Sequence, residues 1–176
     1  MITKIKAFSF LREHQPMPSD EDVTEEEIKK YEEVRTFFIN NPDERCVPLF
    51  LNSFGGKDGL GVYQMVEDVI VMYNKKVVLP CILHAFNSSY EGVRYWCIQI
   101  ASNFPDESLL SPLANFLQSE DQDIKTAAIT AIAQLALNHI RVYEVLKILE
   151  KEIKQITDED IKEFAIEVLV DIQNNM

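Results

Sequence analysis

Three prolines, Pro48, Pro80 and Pro112, stand 32 residues apart twice in succession, and this recurrence limits the fold more than any other feature of the chain. Each sits in an apolar stretch: Val47-Pro48-Leu49-Phe50-Leu51, Leu79-Pro80-Cys81-Ile82-Leu83 and Ser111-Pro112-Leu113-Ala114. Phe54 and Phe86 each follow the first two prolines by six residues. A second motif recurs behind them as Gly61-Val62, Gly92-Val93-Arg94, Asp123-Ile124-Lys125 and Asp160-Ile161-Lys162, its apolar residues 31, 31 and 37 apart. The runs it opens carry apolar residues at helical spacing: Val93, Trp96, Cys97, Ile100, Ala101; Ile124, Ala127, Ala128, Ala131, Leu135; Ile161, Phe164, Ala165, Val168, Leu169, Ile172. That is a 3.6-residue period, with no strand alternation. Breakers fall between the runs at Gly55-Gly56-Lys57-Asp58-Gly59, Asn87-Ser88-Ser89, Pro105-Asp106, Asn138-His139 and Thr157-Asp158.

The unit is therefore a helix pair repeated every 31 to 37 residues. One such pair cannot bury its apolar face alone, whereas several stacked pairs share a continuous core. Ahead of the repeats, Thr24-Glu25-Glu26-Glu27 forms a capping box that opens a leading helix, which Asn40-Asn41-Pro42 stops. Residues 1–22 show no sustained period and read as a short element or strand-like arm over 1–12 followed by a loop over 13–22. The expected fold class is all-α: one domain over 1–176, an α-solenoid of about four helix pairs (43–74, 75–104, 106–137, 140–174) behind an N-terminal arm and an extra helix at 24–41. Five glycines and seven prolines are few for a β-sandwich built of tight turns.

These residues resemble HEAT repeats and the related bacterial HEAT-like and armadillo-like repeats. That family's first helix tends to hold a proline, matched by Pro48, Pro80 and Pro112. Its second helix opens with an acidic residue and Val-Arg, matched best by Glu91-Gly92-Val93-Arg94 and, with lysine, by the units at Asp123 and Asp160. The resemblance spans roughly residues 43–172 and departs at Tyr63, where a basic residue belongs, and near Glu144, where the proline is missing. It implies a protein-interaction scaffold whose partner lies on the concave face of the second helices. In its size and acidity the chain also resembles the HEAT-like immunity proteins of polymorphic toxin and contact-dependent growth inhibition systems, which implies a toxin-antitoxin type of pairing.

Charge narrows the partner. Seventeen Lys and Arg against 29 Asp and Glu give −12, a field that repels phosphate backbones and anionic lipid and attracts basic protein. Nucleic acid and membrane are thus poor candidate partners, and with no secretory h-region and no apolar run of about 20 residues the expected location is cytoplasmic. Cys46, Cys81 and Cys97, an odd number in apolar runs, read as reduced core thiols.

No catalytic set emerges, and neither a cofactor nor a metal site is expected. His14, His84 and His139 lack a ligand partner three or four residues away, and His84 reads as a partly buried packing residue. The glycine stretch at 55–59 lacks the spacing of a phosphate loop. The expected function is non-enzymatic binding and neutralisation of a basic, nuclease-type toxin domain; the alternative is a HEAT-like scaffold or regulatory subunit of a cytosolic complex. The expected partner-binding residues are Tyr63, Glu67, Asp68, Tyr95, Gln99, Glu163 and Glu167, aromatic anchors among steering charges. The rival acidic surface is Asp20–Asp22 with Glu25–Glu27. Arg94, Lys125 and Lys162 are expected to bridge neighbouring repeats as a ladder.

Overall fold

The structure is a computed structural model that describes residues 2–56 and 58–176; Lys57 of the expected glycine turn and Met1 of the expected arm lie outside it. The described residues form ten α-helices and no strand: α1 (Lys4–Glu13), α2 (Glu25–Asn40), α3 (Val47–Leu51), α4 (Glu67–Ile70), α5 (Lys75–Ala85), α6 (Glu91–Ala101), α7 (Leu110–Phe116), α8 (Gln122–Leu137), α9 (Val142–Ile153) and α10 (Glu159–Asn174). The chain, expected as one domain, gathers its contacts into two compact units, Met1–Cys97 and Ile98–Met176, and the division falls inside α6.

In the first unit α2 begins as expected. The Thr24 hydroxyl accepts from the Glu27 N–H at 3.2 Å while the Glu27 carboxylate accepts from the Thr24 N–H at 2.8 Å. Of the two expectations for residues 1–12, a short element or a strand-like arm, the structure has the element and not the strand: Lys4–Glu13 is a helix capped by Thr3, and it buries Ala7, Phe8, Phe10 and Leu11. That apolar pattern is helical, but ten residues are too few to stand out as a period. A loop does follow. Residues 15–20 are laced to the first repeat: the Gln15 amide donates to the Leu49 carbonyl at 2.9 Å and the Met17 N–H to that of Ser53, also at 2.9 Å.

α3, which carries Pro48, packs on α5, which carries Pro80, so the first helices of two successive repeats lie side by side. The second helix of the first repeat is broken. Gly59, Leu60 and Gly61 all adopt positive φ (57°, 53° and 88°), and the chain then makes a 3-10 turn at Tyr63–Val66 before the short α4. Three consecutive left-handed residues cannot continue a right-handed helix. The core here is aromatic: Tyr31, Phe38, Phe50, Phe54 and Tyr63 are fully buried and meet edge to face.

In the second unit α7 packs on α8 and α9 on α10, and α8 also packs on α10. The second helices of successive pairs therefore form a row, which is the α-solenoid arrangement. α8 buries Ile124, Ala127, Ala128, Ala131 and Leu135, so alanines let neighbouring helices approach closely. Asp121 and Asp158 cap α8 and α10 by accepting the Ile124 and Ile161 N–H groups, and the Gln122 amide donates to Asp158 at 2.9 Å. These two repeats are thus joined through a cap, and also by the Gln118 amide, which donates to the Glu152 carboxylate. The expected cationic ladder is replaced by local bonds: Arg94 donates to the Ser88 carbonyl at 2.8 Å, and Lys162 meets Glu159 on its own helix at 3.7 Å.

Candidate functional site

Each expected contact residue has a definite place. Tyr63 is a correction: it is fully buried, not an exposed anchor. Its ring packs against Tyr31, Phe54 and Trp96, its hydroxyl accepts the Gly55 N–H at 3.1 Å, and burial pushes the phenol up to about 12. It follows the left-handed residues 59–61 and opens the 3-10 turn, so it does not sit in a regular second helix.

Glu67 and Asp68 open α4. Glu67 is half-buried; Asp68 is exposed but meets the Arg35 guanidinium at 3.4 Å, which Glu32 grips from the other side at 2.6 Å. Tyr95 is half-buried with its ring edge-on to Trp96 at 5.3 Å, and Trp96 in turn stacks on Phe54. Gln99, in the second unit, is half-buried. The four first-unit residues therefore do not form an open anchor-and-charge patch: Tyr63 is core, Glu67 half-buried, Asp68 ion-paired, and Tyr95 leans on tryptophan.

The rival surface is also largely committed to structure. Asp20 accepts the Asp58 and Gly59 N–H groups, both at 3.1 Å. Asp22 accepts the Ser19 hydroxyl at 2.7 Å. Glu27 belongs to the capping box, and the Thr24 bonds hold its carboxyl below the usual range.

Glu163 and Glu167 differ. Both are exposed on α10, one helical turn apart, and among the described residues neither has an ion-pair or hydrogen-bond partner. Glu167 lines a groove of 310 Å³ between α8 and α10 with Thr130, Ala133, Gln134, Leu137, Phe164, Val168 and Asp171. Phe164 and Val168, expected in the core stripe, are half-buried and present apolar surface to this groove, and Ile166 and Val170 of the same helix are exposed. Sequence reading missed Asp171, although Glu163, Glu167 and Asp171 follow one another every four residues along one edge of α10. The groove's floor is apolar and its α10 edge acidic.

The nucleophile and ligand candidates are placed apart from it. His14 is half-buried, with Nδ1 2.8 Å from the Phe10 carbonyl and Nε2 3.9 Å from Glu27. His84 is exposed, a correction to the packing role expected of it, because its helix position faces away from Ile82 and Ala85. The three cysteines are unpaired; Cys46 and Cys97 are buried, and burial pushes Cys46 up to about 11. Among the described residues no group of three His, Cys, Asp or Glu is placed to hold a metal ion, and no helix is long and apolar enough to cross a membrane.

The fold and groove define an all-α chain of stacked helix pairs, an α-solenoid by class. No protein-family model matches the sequence, and no curated protein matches it. Among solved structures, one described as "Crystal structure of computationally designed armadillo repeat proteins for modular peptide recognition" aligns over 96% of this chain and 92% of its own, with 12% identity and a TM-score of 0.44. A likeness of that size says nothing of what this chain binds.

Proposed function

We propose that this chain is a non-enzymatic protein-binding module that captures a basic protein partner and, more specifically, an immunity protein that covers the phosphate-holding cleft of a nuclease-type toxin domain. The observation that carries the reading is the apolar groove between α8 and α10, lined by the unpaired carboxylate Glu167 and by Asp171, with Glu163 one turn before Glu167 on α10, in a chain of net charge −12. Apolar surface supplies affinity on desolvation, and the surrounding acids accelerate encounter with a cationic surface. A nuclease domain, which needs cations to hold phosphate, offers the complementary field.

The test is expression of the reading frame immediately upstream of the gene, with and without this chain. Growth arrest relieved by the chain, together with inhibition of nuclease activity by the purified protein, supports the reading. Arrest that the chain does not relieve overturns the immunity role. A partner whose binding is indifferent to salt overturns the basic-partner reading altogether.

A further inference from the structure

We propose that the groove between α8 and α10 receives an α-helix of the partner, one with an apolar stripe and a row of Lys or Arg beside it; this rests on the basic-partner reading above. Two observations combine. The acids Glu163, Glu167 and Asp171 repeat every four residues on α10. On a helix, four residues advance by about 6 Å. A partner helix lying along α10 with cations every fourth residue keeps the same interval, so each pair stays in register.

An extended segment keeps a different interval, about 6.6–6.8 Å for every second residue. Its mismatch grows along the row, and it has a second need that this groove does not meet. Its backbone N–H and C=O groups must find partners when they leave water. Among the groove's residues the Thr130 hydroxyl already donates to the Thr126 carbonyl at 3.1 Å, Asp171 accepts from the Asn175 amide, and Ala133, Leu137, Phe164 and Val168 have no side-chain donor or acceptor. Gln134 is the uncommitted amide there and Glu167 the uncommitted carboxylate, so the segment's carbonyls would find a single side-chain donor. A helix satisfies its own backbone bonds and brings only side chains, which suits an apolar floor with an acidic edge.

The experiment uses the full chain and three fluorescent synthetic peptides of equal length and net charge, rich in leucine, lysine and alanine. The first places leucines at i, i+4 and i+7 with lysines beside them; the second scrambles the stripe at the same composition; the third keeps the order but exchanges two central alanines for proline. Anisotropy titration is expected to show the striped peptide binding roughly tenfold more tightly than the other two. The double variant Glu167→Lys/Asp171→Lys is expected to lose roughly tenfold for the striped peptide. The equal charge change Glu120→Lys/Glu150→Lys, outside the groove, leaves it nearly unchanged.

If the proline peptide binds as well as the striped one, the occupant is extended and this inference falls while the basic-partner reading stands. Equal loss in both double variants shows diffuse attraction and also overturns the groove assignment. Failure of all three peptides to bind, with salt-sensitive capture of a basic nuclease domain retained, refutes the helix alone; failure of both refutes the reading beneath it.

Discussion

Replacing Tyr63 separates two roles that its sequence position left entangled. The ring is fully buried among Tyr31, Phe54 and Trp96, with centroid distances of 5.7, 5.5 and 6.3 Å, and the hydroxyl holds the Gly55 N–H. Tyr63→Phe keeps the ring and leaves that N–H without its partner, a loss of about 0.5–1.5 kcal/mol for a hydrogen bond of ordinary strength. Tyr63→Ala removes the ring as well and opens a cavity, at about 3–5 kcal/mol. In a chain of this size each kcal/mol moves the melting temperature by about 2–4 °C, so the alanine variant is expected to melt about 6–20 °C lower and the phenylalanine variant a few degrees lower. Circular dichroism during heating reads both, and urea titration gives the same order. A Tyr63→Ala variant that melts with the parent protein would refute the burial of Tyr63 and return it to the surface as a contact residue.

Other perturbations test the packing and the charges. Gly92→Ala places a Cβ 2.5 Å from the Gly55 carbonyl oxygen and 2.6 Å from that of Gly56; although alanine favours a helix by about 1 kcal/mol, thermal melting is expected to show net destabilisation because backbone must move. Ala128→Leu overpacks the fully buried face of α8 and is expected to cost about 1–3 kcal/mol by urea titration. Asp43, bound by Arg45 and then by Lys4, holds its carboxyl well below the usual range, so its contribution is complete above the unfolded pKa of about 4 and is lost as pH falls further. Asp43→Asn is expected to flatten that part of the acid-denaturation curve. Cys81 is half-buried while Cys46 and Cys97 are buried, so a thiol reagent is expected to label Cys81 first and the other two only with unfolding.

The repeat was legible because burial follows its period. Val62, Val93, Ile124 and Ile161, the recurring apolar residue of the second motif, are all buried, and so are Phe54 and Phe86 behind the prolines. A finer signal of the same period went unread: Asp43, Asn74 and Asp106 each accept the N–H two residues on, at 3.2, 2.9 and 3.1 Å, and open the three first helices 31 and 32 residues apart. The failures share a cause. α1 is too short for its period to show, and the break at Gly59–Gly61 depends on left-handed backbone at Leu60, a residue that gives no such signal. Tyr63 was misplaced because its assignment assumed a regular helix across that break. The α10 acids were half legible: their four-residue interval is in the sequence, but the groove beside them exists only once α8 and α10 pack.

Net charge alone does not separate a binding surface from a solvated one, because solubility is served by acids placed anywhere on the exterior. Their occupations do separate them. Asp20, Glu27, Asp43, Asp106, Asp121 and Asp158 hold backbone N–H groups at caps and turns, and Glu32 and Asp68 hold Arg35. Acids on that work have little freedom to meet a partner. Glu163 and Glu167 do none of it, and they stand where Phe164 and Val168 leave apolar surface half open. If this edge steers a basic partner, association slows as ionic strength rises from about 0.01 M to about 0.15 M, because the screening length shortens from about 30 Å to about 8 Å. Charge reversal at Glu163 and Glu167 should remove most of that dependence, measured as the slope of the association rate against salt, while dissociation changes little. Reversal of Glu25 and Glu26, exposed acids on the first turn of α2, is the matched comparison. An equal loss of slope from both pairs would assign the effect to net charge and leave the groove without a role in encounter.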